Sequence, residues 1–279
     1  MKKVLLLLTV GLTLIACGKG KSLTQEALKG KVKSTYTVSY DAVQDFGTVQ
    51  KGDIISYFDI DDELGLYPVD KKEFDAKGYL TAHIISNRYQ EVNYKYTYEY
   101  HKKKRIATNL YDHGGNLYYY SKHILQEGKP VSYEIYEKYS KNEYQDFVLD
   151  GFNLVSYNTC KKGKLQSSTN ITYEKNLVVK QVVTNAKGQV LQQIDNQWNK
   201  QGQLLYREVT DDKNKRTTTR ITYDPKGNMA TYDRTGTSAA ESYKFKYVSF
   251  DQKGNWTERV LYSGNVAVYL QTRDIDYYK

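Results

Sequence analysis

The 279-residue sequence is poor in cysteine, proline, tryptophan and histidine, with 2, 3, 2 and 4 of each. One cysteine, Cys17, directly follows an apolar N-terminal run, so a chain processed there retains only Cys160 as a free thiol. No intramolecular disulfide is then available, and stability has to come from packing and from backbone hydrogen bonds. No later apolar run reaches membrane-spanning length, so we expect a tethered domain outside the lipid.

The N-terminus has the layout of a secretory signal. Lys2 and Lys3 form a basic head, and residues 4–15 form an apolar run that is too short for a transmembrane helix. We therefore predict that residues 1–16 are a signal peptide and exclude them from the fold.

The residues Leu14-Ile15-Ala16-Cys17, followed by Gly18, resemble the lipobox of bacterial lipoproteins. The resemblance implies that Cys17 carries fatty acyl groups such as palmitate, and two or more such chains hold a protein firmly to a membrane. The alternative is an ordinary signal peptide with an incidental cysteine. On the lipoprotein interpretation, residues 17–31 form a lipidated tether that contains a short helix, and residues 32–279 form the domain.

The formal net charge is +9, and most lysines are scattered through turn-like segments. The one dense basic run is His101-Lys102-Lys103-Lys104-Arg105. It is interpreted as a solvated hairpin tip or, alternatively, as a contact with anionic lipid or glycan. Nucleic acid is not an expected partner of an exported lipoprotein.

Tyrosine is abundant, with 29 residues, and it occurs in alternating patterns. One face of a predicted strand carries Tyr94, Tyr96, Tyr98 and Tyr100. Alternation of period two is typical of a strand with two different faces. Because turn signals recur roughly every ten to sixteen residues, we predict an all-β protein. The expected architecture is an antiparallel up-and-down meander of repeated hairpins, either an elongated repeat sheet or a partly open barrel.

Six turn signals share one pattern, in which Asp or Asn is followed by two variable residues and then glycine. This order matches a type I turn closed by a residue with positive φ, in which the Asp or Asn side chain accepts backbone hydrogen bonds. The pattern therefore predicts structural turns rather than catalytic carboxylates. The Asp or Asn and Gly residues concerned are Asp75, Gly78, Asp112, Gly115, Asn185, Gly188, Asn199, Gly202, Asp224, Gly227, Asp251 and Gly254.

At these turns the chain resembles the YD or Rhs repeat family, whose units carry Tyr-Asp-x-x-Gly. The best matches run from Tyr223 to Met229 and from Tyr111 to Leu117, with Phe74 and Phe250 in place of tyrosine at other units. The chain is also similar to small Tyr-rich lipoproteins of Gram-negative bacteria, in particular Bacteroidota, that contain degenerate copies of the repeat. The likeness implies an envelope location and a β-sheet repeat, and it implies no activity.

No motif for catalysis, metal or cofactor binding is complete. The four histidines lack a serine elbow or a zinc-protease pair, and we interpret them as surface residues, although His113 and His123 would face each other across a hairpin. The acidic residues 59–63 lack the glycine of a calcium loop. Cys160 is expected to be a partly buried spare thiol. We therefore expect no cofactor, no metal and no enzymatic activity.

The leading functional hypothesis is a non-enzymatic binding or scaffolding module, lipid-anchored in the outer membrane and facing the periplasm. Its tyrosine faces would bind an acidic glycan or another envelope protein, with Tyr94, Tyr96, Tyr98 and Tyr100 as candidate binding residues. The second hypothesis is an open half-barrel that carries a lipid or acyl chain. The third is a glycan-acting enzyme, which requires two converging carboxylates.

Overall fold

The computed structural model describes residues 28–56, 61–236 and 240–279, and these residues form 19 β-strands. The signal segment, Cys17 and most of the tether lie outside the described residues. The first strands are β1 (Val32–Asp45), β2 (Thr48–Ile54), β3 (Val69–Phe74), β4 (Leu80–Ser86), β5 (Val92–His101), β6 (Lys104–Tyr111), β7 (Leu117–Gln126), β8 (Lys129–Glu137) and β9 (Asn142–Asp150). The remaining strands are β10 (Asn153–Lys161), β11 (Lys164–Glu174), β12 (Leu177–Asn185), β13 (Val190–Trp198), β14 (Leu204–Asp211), β15 (Arg216–Tyr223), β16 (Met229–Thr235), β17 (Glu241–Phe250), β18 (Trp256–Ser263) and β19 (Val266–Tyr277). In these three ranges no helix is long and apolar enough to cross a membrane.

All strand pairs are antiparallel, and the prediction of an all-β meander of hairpins is confirmed. One series of consecutive pairs runs from β3 to β8, and a second runs from β9 to β19. Strand β1 joins the two series, because it pairs with both β19 and β3. Between β8 and β9 the rings of Tyr133 and Phe147 pack with their centroids 5.7 Å apart. The sheet is therefore nearly closed and barrel-like.

The meander departs from strict sequence order at β1. This strand is 14 residues long, and its first half pairs with β3 while its second half pairs with β2. Both edges of β1 are thus hydrogen-bonded, and the link between β2 and β3 leaves the ladder. Ile55, Leu64 and Leu66 in this link are almost fully buried, within a cluster that includes Leu204 and Leu261. The link therefore packs on the inner face of the later strands.

Side chains alternate between the two faces of the sheet as the tyrosine pattern predicted. In β17 the inward positions Tyr243, Phe245 and Tyr247 are partly buried, while Lys244 and Lys246 are exposed. Such inward aromatic residues fill the space between hairpins, because tyrosine packs a large ring and keeps a polar tip for hydrogen bonding.

An ionic cluster holds the inward link against the sheet. Glu63 accepts hydrogen bonds from Arg207 at 2.6 Å, Arg234 at 3.1 Å and the Tyr232 hydroxyl at 3.0 Å. Asp61 pairs with Arg234 at 3.1 Å. Burial raises the pKa of both carboxyls, but the two guanidinium groups hold the pKa of Glu63 below its usual value, whereas the pKa of Asp61 stays raised.

The six segments with the pattern Asp or Asn, two variable residues and glycine are all turns, and they share one geometry. In each, the glycine N–H donates to the backbone carbonyl of the Asp or Asn at 2.9–3.0 Å, and the glycine φ lies between 73° and 87°. The side-chain Oδ1 accepts two further backbone N–H groups, two and four residues on, at 2.8–3.0 Å. One oxygen thus satisfies two backbone donors that a tight reversal would otherwise leave unpaired.

Because the chain reverses at every turn, successive turns lie at opposite ends of the sheet. We name these ends by their turns. The upper rim comprises residues 75–79, 102–103, 127–128, 151–152, 175–176, 199–203, 224–228 and 251–255. The lower rim comprises residues 46–47, 87–91, 112–116, 138–141, 162–163, 186–189, 212–215 and 264–265. Residues 28–31, where the described chain begins, lie at the upper rim, since Lys29 N–H donates to Asn255 at 2.7 Å.

The turn geometry predicts the effect of altering Asp224. We expect Asp224→Ala to lower the free energy of unfolding by about 1 kcal/mol, because two backbone N–H groups lose their acceptor. Asp224→Asn keeps an oxygen in the same place and is expected to stay near the wild type. Urea denaturation followed by circular dichroism measures both. Equal losses in the two variants would show that the negative charge, rather than the acceptor geometry, stabilises the turn.

Candidate functional site

An open cleft of about 490 Å³ lies at the lower rim, where three turns meet. The turns are residues 87–91, 112–116 and 138–141, which connect β4 to β5, β6 to β7 and β8 to β9. The volume is within the usual range for small-molecule sites. The lining residues are Asn87, Asn93, Tyr94, Asp112, His113, Tyr118 and Tyr139.

Backbone hydrogen bonds fix the three turns in place. Lys138 N–H donates to the Tyr118 carbonyl at 2.8 Å, which ties the third turn to the start of β7. Asn87 repeats the turn geometry described above, with its Oδ1 accepting N–H groups at 2.9 and 3.1 Å. In that turn Gln90, with φ of 66°, takes the place that glycine has elsewhere. The walls of the cleft are therefore structured turns rather than free loops.

Two tyrosines form an aromatic corner in the cleft. The ring centroids of Tyr118 and Tyr139 are 5.6 Å apart, with the planes tilted by 59°. Tyr139 is 70% exposed, and Lys138 Nζ lies 5.3 Å from its ring centroid. Burial, together with the charge of Glu137, raises the pKa of Tyr118, so its hydroxyl keeps its proton and can donate a hydrogen bond at neutral pH.

Asp112 is the carboxylate among the lining residues. Its Oδ1 accepts the N–H groups of Gly114 and Asn116 at 3.0 and 2.9 Å, and Lys138 Nζ lies 3.8 Å from its Oδ2. The Asn116 hydrogen bond is the main reason that the pKa of Asp112 is lowered. A carboxyl group with a lowered pKa stays ionised at neutral pH, so it can accept hydrogen bonds from a ligand but cannot deliver a proton.

The four candidate binding tyrosines of β5 all lie on the inner face of the sheet, and they differ in access. Tyr94 lines the cleft. Tyr96 stacks on His83, Tyr98 is 8% exposed, and the Tyr100 hydroxyl donates to the Leu80 carbonyl at 2.9 Å. Burial raises the pKa of Tyr100 to about 12. Ligand binding by these four tyrosines stays a prediction. Of the four, Tyr94 is the one that lines the cleft.

The two histidines expected to face each other lie at opposite rims. His113 lines the cleft, whereas His123 is buried beside Phe152, with its Nε2 3.1 Å from the Phe152 carbonyl. The expectation that all histidines lie on the surface is therefore wrong for His123, because β7 carries it to the inner face. Burial lowers the pKa of His123.

The other singled-out groups are occupied by internal contacts. Cys160 is 1% exposed, and Gln145 Nε2 donates to its Sγ at 3.0 Å. Asp61 and Glu63 of the acidic run pair with arginines, while Asp59 lies outside the described residues. The basic run forms the turn at Lys102 and Lys103 on the upper rim. Within the described ranges, no three His, Cys, Asp or Glu residues form a group that could hold a metal.

A second polar cluster surrounds Asp70 and is closed to solvent. Asp70 is 3% exposed, His83 Nε2 lies 2.7 Å from its Oδ1, and Lys72 Nζ lies 2.9 Å from its Oδ2. Burial would raise the pKa of Asp70, but Lys72 and His83 hold it well below its usual value. The carboxylate is thus buried with its charge compensated by Lys72 and by its contact with His83.

Four cleft residues were not anticipated from the sequence: Asn87, Asn93, Tyr118 and Tyr139. The turn at 87–91 was missed because its fourth residue is Gln90 rather than glycine. The spacing of turns held a usable signal, since every second turn of an antiparallel meander lies at the same end. Applying that rule to the turns near residues 114 and 141 places Tyr118 and Tyr139 on one rim.

Comparisons with known proteins assign no family. No protein-family model matches the chain, and no curated protein matches it. Two similar solved structures are porin-like proteins. The one from Bacteroides uniformis has 8% identity, covers 89% of this chain and 99% of its own, and has a TM-score of 0.42. The one from Bacteroides vulgatus has 10% identity, covers 90% and 99%, and has a TM-score of 0.33.

A third similar structure is TcdB2-TccC3 without its hypervariable C-terminal region. It has 14% identity, covers 73% of this chain and 14% of its own, and has a TM-score of 0.21. At these TM-scores the likenesses assign neither family nor function to this chain. The sequence resemblance to YD or Rhs repeats and to Bacteroidota lipoproteins therefore stays a prediction.

The Asp70 cluster predicts a specific loss of stability in acid. The lowered pKa of Asp70 contributes stability above its unfolded pKa of about 3.9, and this contribution declines as the pH falls toward the folded pKa. We expect Asp70→Asn to lower the free energy of unfolding by about 3 kcal/mol at pH 7, because Lys72 is left without its buried partner. The difference from wild type should shrink below about pH 4.

Urea denaturation between neutral and acidic pH measures this difference. Glu73→Gln on the same strand is the matched control, because the Glu73–Lys71 pair is exposed and should contribute little. A constant difference between wild type and Asp70→Asn across the pH range would contradict the linkage.

Proposed function

We propose that this protein is a non-enzymatic glycan-binding module of the cell envelope, held to the membrane by acyl groups on Cys17. The observation that carries the proposal is the open lower-rim cleft, in which Tyr94, Tyr118 and Tyr139 lie beside amide and carboxylate groups. The binding site is therefore placed at the turns of the sheet and not inside it.

The chemistry of the cleft suits a sugar ring. The C–H faces of a pyranose pack on aromatic rings, and its hydroxyl groups need hydrogen-bond donors and acceptors at the edge of the same surface. The exposed ring of Tyr139 supplies a stacking face, and the ionised Asp112 supplies an acceptor. Lys138, 3.8 Å from Asp112, supplies a cation that an acidic sugar would pair with.

The carboxylate arrangement favours binding over hydrolysis. Glycoside hydrolysis uses two carboxyl groups about 5–10 Å apart, one of which donates a proton. Asp112 is the carboxylate in the lining set, and its lowered pKa makes it a poor proton donor. The cleft therefore has groups that hold a sugar and lacks, among its lining residues, a pair that would cleave one.

Packing on the inner face of the later strands favours binding over acyl-chain transport. A carrier needs an open apolar interior, but Leu64 and Leu66 occupy the inner face of the later strands, and the Glu63 cluster lies beside them. Removing this link to admit a lipid would take Glu63 away from Arg207 and would leave Arg234 with Glu241 alone of its three carboxylate partners. We therefore place the carrier second.

The proposed location follows from the N-terminal segment. The lipobox-like residues before Cys17 support acylation, and the absence of an acidic surface-export tag after Cys17 supports the periplasmic face of the outer membrane. The partner would be an envelope glycan within reach of the tethered domain.

Tyr139→Ala tests the cleft. We expect it to weaken binding to a responsive glycan about fivefold, which is the effect of losing about 1 kcal/mol of aromatic stacking. Tyr89→Ala is the matched control, because Tyr89 has the same 70% exposure in the turn at residues 87–91 but does not line the cleft. Both variants should keep the wild-type urea midpoint.

Isothermal titration of the full chain with chitin-type, cellulose-type and polygalacturonate oligosaccharides separates neutral from acidic sugars. Binding of none of them, or equal weakening by Tyr139→Ala and Tyr89→Ala, would overturn the assignment of this cleft.

Cys17→Ser tests the anchor. Cells fed radiolabelled palmitate should incorporate label into the wild-type protein and none into the variant, because the acyl groups have no other predicted attachment site. Retention of label in Cys17→Ser would place the modification elsewhere, and an unlabelled wild type would favour an ordinary signal peptide.

A further inference from the structure

We infer that the upper rim is a docking surface for an anionic lipid leaflet. Exposed lysines occur in or next to almost every turn of this rim and at both described ends of the chain. They are Lys29, Lys31, Lys77, Lys102, Lys103, Lys129, Lys175, Lys200, Lys226, Lys253 and Lys279. None of them forms an ion pair within the part of the chain that the structure describes.

The acidic groups of the upper rim do not neutralise these lysines. They are Asp75, Glu127, Asp150, Glu174, Asp224 and Asp251, and they are fewer than the lysines. Asp75, Asp224 and Asp251 direct one oxygen into their own turns. Asp251 also accepts a hydrogen bond from the Tyr277 hydroxyl. The rim therefore presents mainly ammonium groups to whatever faces it.

The lower rim also carries exposed cations, and acidic residues lie among them as they do on the upper rim. These cations are Arg88, Lys138, Lys141, Lys162, Lys187, Lys213 and Lys215. Lys138 lies 3.8 Å from Asp112, and Lys213 directly follows Asp211 and Asp212. Charge alone therefore does not distinguish the two rims, and the point where the tether is attached indicates which of them faces the lipid.

The position of the tether indicates that the upper rim faces the membrane. Asn255 holds residue 29 at this rim through hydrogen bonds of 2.7 and 2.9 Å. The 12 residues from Cys17 to Lys29 span at most about 40 Å when fully extended. Strand β17, with 10 residues, is about 33 Å long. To bring the lower rim to the membrane, the tether would have to run the whole length of the sheet, whereas the upper rim lies at its point of attachment.

Charge complementarity identifies the chemistry of the surface. Each lysine close to an anionic leaflet contributes roughly 1 kcal/mol, which is about fivefold in partitioning. Several lysines on one rim would therefore hold that rim of the tethered domain close to anionic headgroups such as phosphatidylglycerol. This inference uses the proposed Cys17 anchor only for orientation, and the measurement below needs no acyl chain.

Lysine acetylation of the full chain on vesicles, read by mass spectrometry, tests the docking surface. Lys77 and Lys253 are compared with Lys187 and Lys213, because all four are exposed and donate their backbone N–H to the turn Oδ1 at 2.9–3.0 Å. On phosphatidylglycerol vesicles the upper pair should react about fivefold more slowly than the lower pair. On phosphatidylcholine vesicles, or in high salt, the two pairs should react equally.

Two charge-reversed double variants test whether the position of the lysines on the upper rim, rather than the net charge of the protein, causes the protection from acetylation. Lys77→Glu with Lys253→Glu should restore the reactivity of Lys29 on phosphatidylglycerol vesicles, while Lys187→Glu with Lys213→Glu should leave Lys29 protected. Equal reactivity of both lysine pairs on the anionic vesicles would overturn the inference. So would equal protection on phosphatidylcholine, or protection by soluble polygalacturonate as strong as that by vesicles.

Discussion

Reversal of the chain at every turn is the constraint on which this structure depends. A single Oδ1 atom accepts two backbone N–H groups at each patterned turn, and the residue with positive φ completes the reversal. Because these donors are satisfied locally, each hairpin can close without help from distant parts of the chain. Because the chain direction alternates from strand to strand, successive turns lie alternately on the upper and the lower rim. The positions of the cleft and of the lysine-rich surface both follow from that sorting, since each is made of turns from alternate hairpins.

Closure of the sheet depends on a longer-range interaction, the pairing of β1 with both β3 and β19. This pairing brings Val32 opposite Tyr277 and Ser34 opposite Glu73, so that the first and last strands share one ladder. It also displaces the link between β2 and β3 toward the inner face. The Glu63 cluster then compensates charges that would be costly to bury alone, because two guanidinium groups and a tyrosine hydroxyl surround one carboxylate.

Local structure was predictable from the sequence because its causes are local. Alternation of tyrosines in β5 identified a strand, and the Asp224–Gly227 pattern identified a turn together with its hydrogen bonds. The Asn87 turn escaped notice because Gln90 adopts a positive φ that is usually assigned to glycine. The Glu63 cluster and the β1 pairing were beyond reach for a different reason. Each joins residues far apart in the chain, and nothing in the spacing of Asp61 or Glu63 indicates that Arg207 and Arg234 will meet them.

The two rims define the orientation that we propose for the protein on the membrane. If the tether and the upper-rim lysines face the lipid, the cleft with Tyr118 and Tyr139 lies about one strand length away, roughly 30 Å above the leaflet. A glycan site at that height would contact polymers that lie parallel to the membrane rather than lipid headgroups. The tyrosines of the inner face have a separate task, because Tyr96, Tyr98 and Tyr100 pack the hairpins that hold the two rims apart. Tyrosine is thus common in this chain for two reasons. It packs beside the aliphatic residues of the interior, and at one rim it remains exposed where a ligand can reach it.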